Sequence, residues 1–184
     1  MLMDSLNKRP TKTRKLTTRQ ITAMGIMLAI LIVLSFVPSI NFGNLVQIGF
    51  GFIGTAFAGS LFGPWYGAVL AIANDLITYF MNGTGYFFPG FTLTAGLGAW
   101  IYGRVLWRRE KNWKNILLAV TLVTIICNIG LNSIWIKIMY DRAFAVFMPM
   151  RIYKNLISLP LNTIILMLIF NLDAVKGIIK KYQM

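Results

Sequence analysis

Long apolar runs separated by short polar stretches dominate the chain, and their lengths match membrane-crossing helices rather than strands. A helix that crosses the hydrocarbon core needs about 20 mostly apolar residues. Runs of that kind cover Gln20–Val37, Leu45–Phe62, Trp65–Met81, Phe91–Trp107, Ile116–Ile136 and Lys154–Leu172. Only Gly63 and Pro64 separate the second run from the third. They read as a tight hairpin or as a kink in one longer helix, so five spans is the alternative to six. The expected fold is an all-α integral membrane protein, six transmembrane helices in a compact bundle. One membrane domain is predicted, with basic tails over 1–17 and 176–184 and the bundle over 18–175. The first run exceeds a signal-peptide core of roughly 7–15 residues. No small-residue cleavage site clearly follows it, so it reads as an uncleaved first helix.

Composition supports lipid as the solvent. The 184 residues are 57% hydrophobic and 12% charged, against about 25% charged in a soluble domain. That leaves too little polar surface for a water-exposed globule. The net charge of +13 is concentrated at the ends of apolar runs, where the positive-inside rule places Lys and Arg. A nucleic-acid-binding face needs basic residues spread over a soluble surface, so nucleic acid is not an expected partner. The N-terminal tail carries Lys8, Arg9, Lys12, Arg14, Lys15 and Arg19 against Asp4. The connection after the fourth span carries Arg104, Arg108, Arg109, Lys111 and Lys114 against Glu110, and the C-terminal tail carries Lys176, Lys180 and Lys181. Six spans put all three clusters on one side, which predicts a multi-pass cell-membrane protein with both termini cytoplasmic. The outer connections Pro38–Asn44 and Asn82–Gly90 carry no charge. The last one differs: Lys137, Asp141, Arg142, Arg151 and Lys154 make a net positive patch where basic residues are disfavoured, which implies a specific use.

Small residues recur at four-residue spacing: Gly51, Thr55, Gly59, Gly63, Gly67 and Ala71, then Ala95, Ala99 and Gly103, with Gly25 and Ala29 in the first span. Such spacing lines one helix face and lets another backbone approach closely. Packing inside the bundle and docking of a partner membrane protein both fit this periodicity.

Polar residues inside the spans form stripes too. An ionisable group within a membrane helix is costly and usually faces a cavity or the bundle interior. Asp75 is the only acid well inside a span. Tyr79 and Asn82 share its helix face, and Asn74 and Thr78 make the adjoining stripe. Asn128, Asn132 and Trp135 line the fifth span, and Arg151, Asn155, Ser158 and Asn162 the sixth. Apart from Asn162, all three stripes fall in the outer halves of their helices, which predicts a binding cup open to the exterior rather than a pore. The plainer reading is that the asparagines tie helices together, at about 0.6–2 kcal/mol per hydrogen bond. Tyr79, Tyr86, Phe87, Phe88 and Phe91 suit either an interfacial aromatic belt or a stacking wall for a flat heterocycle.

Several chemistries are not expected. The sequence contains no histidine, the common metal ligand and proton shuttle, and neither a metal nor a cofactor is anticipated. Its lone cysteine, Cys127, lies in an apolar run and reads as a small buried hydrophobe. No acid–base pair or activated nucleophile stands out, so no catalytic residue is assigned. No G-x-x-x-x-G-K-[ST] phosphate loop occurs, so any ATP hydrolysis belongs to another chain.

The stretches IGFGFIGTAFAGSLFGPWYGAVLAIANDLITYF (48–80) and GTGYFFPGFTLTAGLGAWIYG (83–103) resemble the substrate-binding (S) components of energy-coupling factor vitamin transporters. YFFPGFTLTA and MPMRIYKNLISLP (148–160) look most like the folate-specific branch. The resemblance covers the chain from Leu16 to about Leu172. It implies six helices with both ends cytoplasmic, capture of a vitamin from outside, and toppling in the membrane to release it. It also implies docking on a transmembrane scaffold subunit carrying two ATPases, through small residues of the first helices. Here those are Gly25 and Ala29, where Met27 interrupts an alanine series, with Gly59 and Gly63. Read together with the stripes, the expected ligand-binding residues are Asp75, Asn74, Tyr79, Tyr86, Phe88, Phe91, Asn132, Trp135, Arg151, Lys154 and Asn155. For folate, Asp75 suits the donor edge of the pterin through paired hydrogen bonds, and the basic residues suit the glutamate tail. The alternatives are an S component for another anionic vitamin, pantothenate or biotin, or a small ion-coupled carrier. A carrier of that kind is expected to show a repeated half, and none is visible.

Overall fold

A computed structural model describes residues 16–37, 40–42, 46–82, 87–139 and 144–183. Its elements, in order, are α1 (Thr18–Phe36), strands β1 (Ile40–Phe42) and β2 (Val46–Ile48), α2 (Gly51–Asn82) and α3 (Pro89–Leu106). There follow α4 (Trp113–Leu122), a π-helical stretch (Val123–Leu131), α5 (Asn132–Met139), α6 (Phe144–Asn171) and α7 (Asp173–Tyr182). Four helical stretches are long and apolar enough to span a bilayer: α1, α2, the run Trp113–Met139, and Arg151–Asn171 within α6. Two further features bring the bundle to six passes.

The first is a break in α2. Gly63 takes φ 82° and ψ −179°, a left-handed conformation that glycine adopts without a Cβ penalty, and Pro64 follows with no backbone donor. The chain reverses there: a Cβ on Gly67 would lie 2.8 Å from the Gly59 Cα. Residues eight apart in an uninterrupted helix are separated by about 12 Å, so the two arms form a hairpin. The four-residue run of small side chains is thereby split, and Gly59 and Gly67 face each other instead of lining one face. The second feature is α3, a span that the bundle surrounds. Thr92, Thr94, Gly96, Gly98, Ala99, Tyr102 and Gly103 are all buried in it. A helix enclosed by other helices need not be apolar all round. Gly59, Gly67 and Gly103 meet at its contact with α2. A Cβ on Gly103 would sit 2.6 Å from Pro64 N and Cα, and one on Gly59 2.6 Å from the Ala99 carbonyl. Absent Cβ atoms let these backbones touch.

Three expected boundaries move. The expected start of the second span, Leu45, lies outside the described residues, and Val46–Ile48 is strand rather than helix. Strands Ile40–Phe42 and Val46–Ile48 pair antiparallel, Ile40 with Ile48 and Phe42 with Val46, an addition to the all-α expectation, and helix starts at Gly51. The sixth span begins earlier than Lys154, since α6 runs from Phe144; Arg151 and Lys154 are therefore helical residues, not loop residues. Asp141 and Arg142 lie outside the described residues. The C-terminal stretch is the helix α7 rather than a plain tail. It is held by Ile179, buried in the core, and by Gln183, whose Nε2 donates to the Ser60 carbonyl at 3.0 Å.

The bundle is asymmetric along its length. At the end holding Gly63, the start of α4 and the end of α6, Phe62, Leu106, Ile116, Val120 and Leu166 pack into an apolar core. Phe57 and Phe170 stack there, centroids 4.9 Å apart. Ile26, Val33, Val69, Leu156 and Leu168 are exposed, as lipid-facing positions of a membrane bundle are expected to be. Toward the other end the core gives way to polar cavities.

Candidate functional site

Two cavities open at that end. One, of 320 Å³, is lined by Asp75 from the second arm of α2, Phe91, Thr94 and Gly98 from α3, and Tyr102, Thr124 and Cys127 deeper in. The other, of 260 Å³, is lined by Arg151, Lys154, Asn155 and Ser158 from α6 and by Gly49. Phe52, Asn128, Asn132 and Asn162 line both, so the two are adjoining chambers of one site. A carboxylate serves one chamber, two cations serve the other, and three asparagines stand between.

The carboxylate is positioned by α3. Thr92 Oγ1 donates to Asp75 Oδ2 at 2.6 Å, a charge-assisted hydrogen bond. Thr94, two residues on, donates its hydroxyl to the Gly90 carbonyl at 2.9 Å and accepts from Trp135 Nε1 at 2.9 Å. That bond ties α5 to α3 and fixes the indole. Phe88 lies against both Trp135 (5.6 Å) and Phe91 (5.8 Å). A Cβ on Gly90 would fall 2.7 Å from the Trp135 ring, so glycine there makes room for the aromatic wall. The π-helical stretch carries Thr124, Cys127 and Asn128; such wide turns occur frequently at functional sites.

On the other side, polar atoms lack protein partners. Arg151 Nη1, Ser158 Oγ, Asn132 Oδ1 and Asn162 Oδ1 are buried with no hydrogen-bond partner among the described residues, and all four residues line the second chamber. A buried donor or acceptor left unpaired costs about 1–3 kcal/mol. Four of them around one chamber leave it with hydrogen-bonding capacity that the described residues do not meet. Among the described residues no group of His, Cys, Asp and Glu could hold a metal ion.

Of the expected site residues, Asp75, Phe91, Asn132, Arg151, Lys154 and Asn155 line the chambers, and Phe88 and Trp135 stand behind Phe91 and Thr94. Asn74 turns away: its Nδ2 donates to Ser35 Oγ of α1 at 3.1 Å, the helix-tying role open to any of the asparagines. Tyr79 packs on Phe87 at 5.1 Å and lines neither chamber. Tyr86 lies outside the described residues. Gly25 and Ala29 lie on the exposed face of α1, with open space around Gly25. Gly59 and Gly63, expected on a partner face, are buried, and their small size serves contacts with α2, α3 and Trp107. Phe52, Thr55, Thr92 and Thr94 are additions. Thr55 stands in the small-residue stripe of the sequence, while Thr92 and Thr94 stand in no stripe, because the Asp75–Thr92 contact joins different helices and leaves no periodic signal.

Residues 19–170 match the family model of the ECF transporter substrate-specific component. The chain is 34% identical to the folate transporter FolT of Leuconostoc mesenteroides subsp. mesenteroides over 91% of this chain and 92% of that one. It is 35% identical to FolT of Clostridium novyi over 66% and 71%. The crystal structure of a FolT bound with folic acid superposes with a TM-score of 0.75 at 31% identity, covering 84% of this chain and 96% of that one. An S component for biotin from an ECF-type ABC transporter shares the fold, with a TM-score of 0.59 at 20% identity over 84% and 94%. The apolar six-pass bundle, its one-ended polar site and these matches agree: the chain belongs to the substrate-specific components of ECF transporters, membrane transport subunits rather than enzymes.

Proposed function

We propose that this subunit binds folate, with the pterin in the Asp75 chamber and the glutamate tail in the Arg151 chamber. The observation that carries the reading is the charge separation across two adjoining chambers, one acidic and one basic, in a chain whose relatives are folate transporters. The pterin presents neighbouring N–H donors on one edge, which a carboxylate accepts as a pair. Thr92 already occupies one lone pair of Oδ2, which holds the carboxylate in place while leaving acceptor capacity on both oxygens. Phe91 supplies an aromatic wall for the flat ring. The tail carries two carboxylates, matched by the donors of Arg151, Lys154 and Ser158, while the unpaired Asn132 and Asn162 Oδ1 atoms are acceptors and suit the tail's amide N–H.

The basic clusters support a cytoplasmic location for both termini, which faces the chambers outward. Without a nucleotide-binding loop, transport depends on partners, a scaffold subunit and two ATPases. The exposed Gly25 and Ala29 are the small residues placed to meet the scaffold. Titrating the purified subunit against folate, pantothenate, biotin and thiamine tests the assignment. Folate is expected to give saturable one-to-one binding and a thermal shift that the other vitamins do not. Saturable binding of pantothenate or biotin with no response to folate would overturn it.

A further inference from the structure

The largest of the cavities described lies at the opposite end of the bundle from the ligand chambers and plays no part in them. It has a volume of 500 Å³ and joins the start of α1, the corner of α2 and the C-terminal end of α3. Its wall is aromatic: Trp65 and Trp100 meet edge to face at 6.5 Å, and Trp107 packs over Gly63, whose Cβ would fall 3.1 Å from the indole. Its polar complement is almost wholly donor. Arg104 and Arg108 line it with Gln20 and Tyr66, and among the described residues no carboxylate does. Gln20 Oε1 already accepts from the Thr17 backbone N–H at 2.9 Å. The Arg108 guanidinium lies 4.5 Å from the Trp107 ring centroid. The Trp107 indole N–H, a donor only, is buried with no partner among the described residues. Arg108 also holds φ 54°, uncommon for a residue with a side chain.

A ligand for this cavity must bring acceptors and negative charge to Arg104 and the indole N–H, beside the Arg108 guanidinium that lies over Trp107, and apolar surface to the tryptophans. Its position at the end of a membrane bundle, beside a Trp65 that is 73% exposed, is where indoles sit at headgroup level. We propose that the cavity binds the phosphate of an anionic phospholipid, with the headgroup on Arg104, Arg108 and Trp107 and the first acyl carbons along Trp65 and Trp100.

Native mass spectrometry of the detergent-purified subunit tests this, with equal amounts of phosphatidylglycerol and phosphatidylcholine of the same acyl chains. Phosphatidylglycerol is expected to bind preferentially. Arg104→Gln should reduce that preference about fivefold, the factor equivalent to about 1 kcal/mol for one arginine near an anionic headgroup. Trp107→Phe, which keeps the ring and removes the N–H, should reduce it as well. Arg104→Lys should retain it, and Arg109→Gln, on a neighbouring exposed arginine that does not line the cavity, should leave it unchanged. Millimolar inorganic phosphate or glycerol phosphate should not displace the lipid; displacement would assign the site to soluble phosphates instead. Equal binding of the two lipids, or an Arg109→Gln effect as large as that of Arg104→Gln, would overturn the proposal.

Discussion

Replacing Asp75 by Asn preserves the side chain's shape while removing its charge and exchanging one acceptor oxygen for a donor nitrogen. In the structure Oδ2 accepts from Thr92 at 2.6 Å, so the amide oxygen is expected to keep that bond and turn its nitrogen toward the chamber. There it meets the pterin donor edge donor-to-donor. The lost interaction is a hydrogen bond to a charged group, worth about 1.5–3 kcal/mol, which corresponds to a weakening of roughly 10- to 150-fold. Free pterin should lose as much as folate, because the tail does not touch this chamber. Thr92→Val removes only the positioning donor. It should weaken binding less than Asp75→Asn does, because the charge and both acceptor oxygens remain and only their placement is lost. The double variant should lose less than the two effects added, because both act through one carboxylate. Isothermal titration of the four proteins with folate and with pterin measures this. Folate affinity within threefold of the parent in Asp75→Asn would refute the reasoning and make Asp75 a structural partner of Thr92.

Other consequences separate the parts of the structure. Arg151→Ala should weaken folate while sparing free pterin, which carries no carboxylate tail, and the effect should shrink as salt rises because a partly solvated pair is screened; titrations at two ionic strengths check both. Gly103→Ala forces a methyl against the Gly63–Pro64 backbone and should destabilise the bundle by about 1–3 kcal/mol, visible as a lowered unfolding temperature in detergent. Gly25→Leu, at a position with open space around it, should leave folate titrations unchanged and reduce co-purification with the scaffold subunit; loss of both together would return Gly25 to internal packing.

Much of this architecture was legible in the chain because lipid imposes strong rules on sequence. Span length and the absence of charge located α1, α3 and the run Trp113–Met139 to within a few residues. The i, i+4 stripes of Asn128 and Asn132 and of Arg151, Asn155, Ser158 and Asn162 lie along the chamber walls. What escaped depends on contacts between distant segments. Gly63 and Pro64 announce a hairpin or a kink, but four-residue spacing does not reveal that the turn sets Gly59 against Gly67. The short pair of strands was hidden because Val46 and Ile48 are as apolar as any membrane-helix residue, and hydropathy alone does not separate the two. Asn74 and Asp75 are adjacent in sequence, yet one bonds α1 and the other α3, a division set by where the neighbouring helices stand.

The central claim is that one ligand bridges both chambers in a fixed direction. The structure of the subunit saturated with folate tests it most directly. It should show the pterin edge within hydrogen-bonding distance of Asp75 and at least one glutamate carboxylate on Arg151 or Lys154. A folate lying in reverse, with its carboxylates beside Asp75, or bound away from both chambers, would contradict the account.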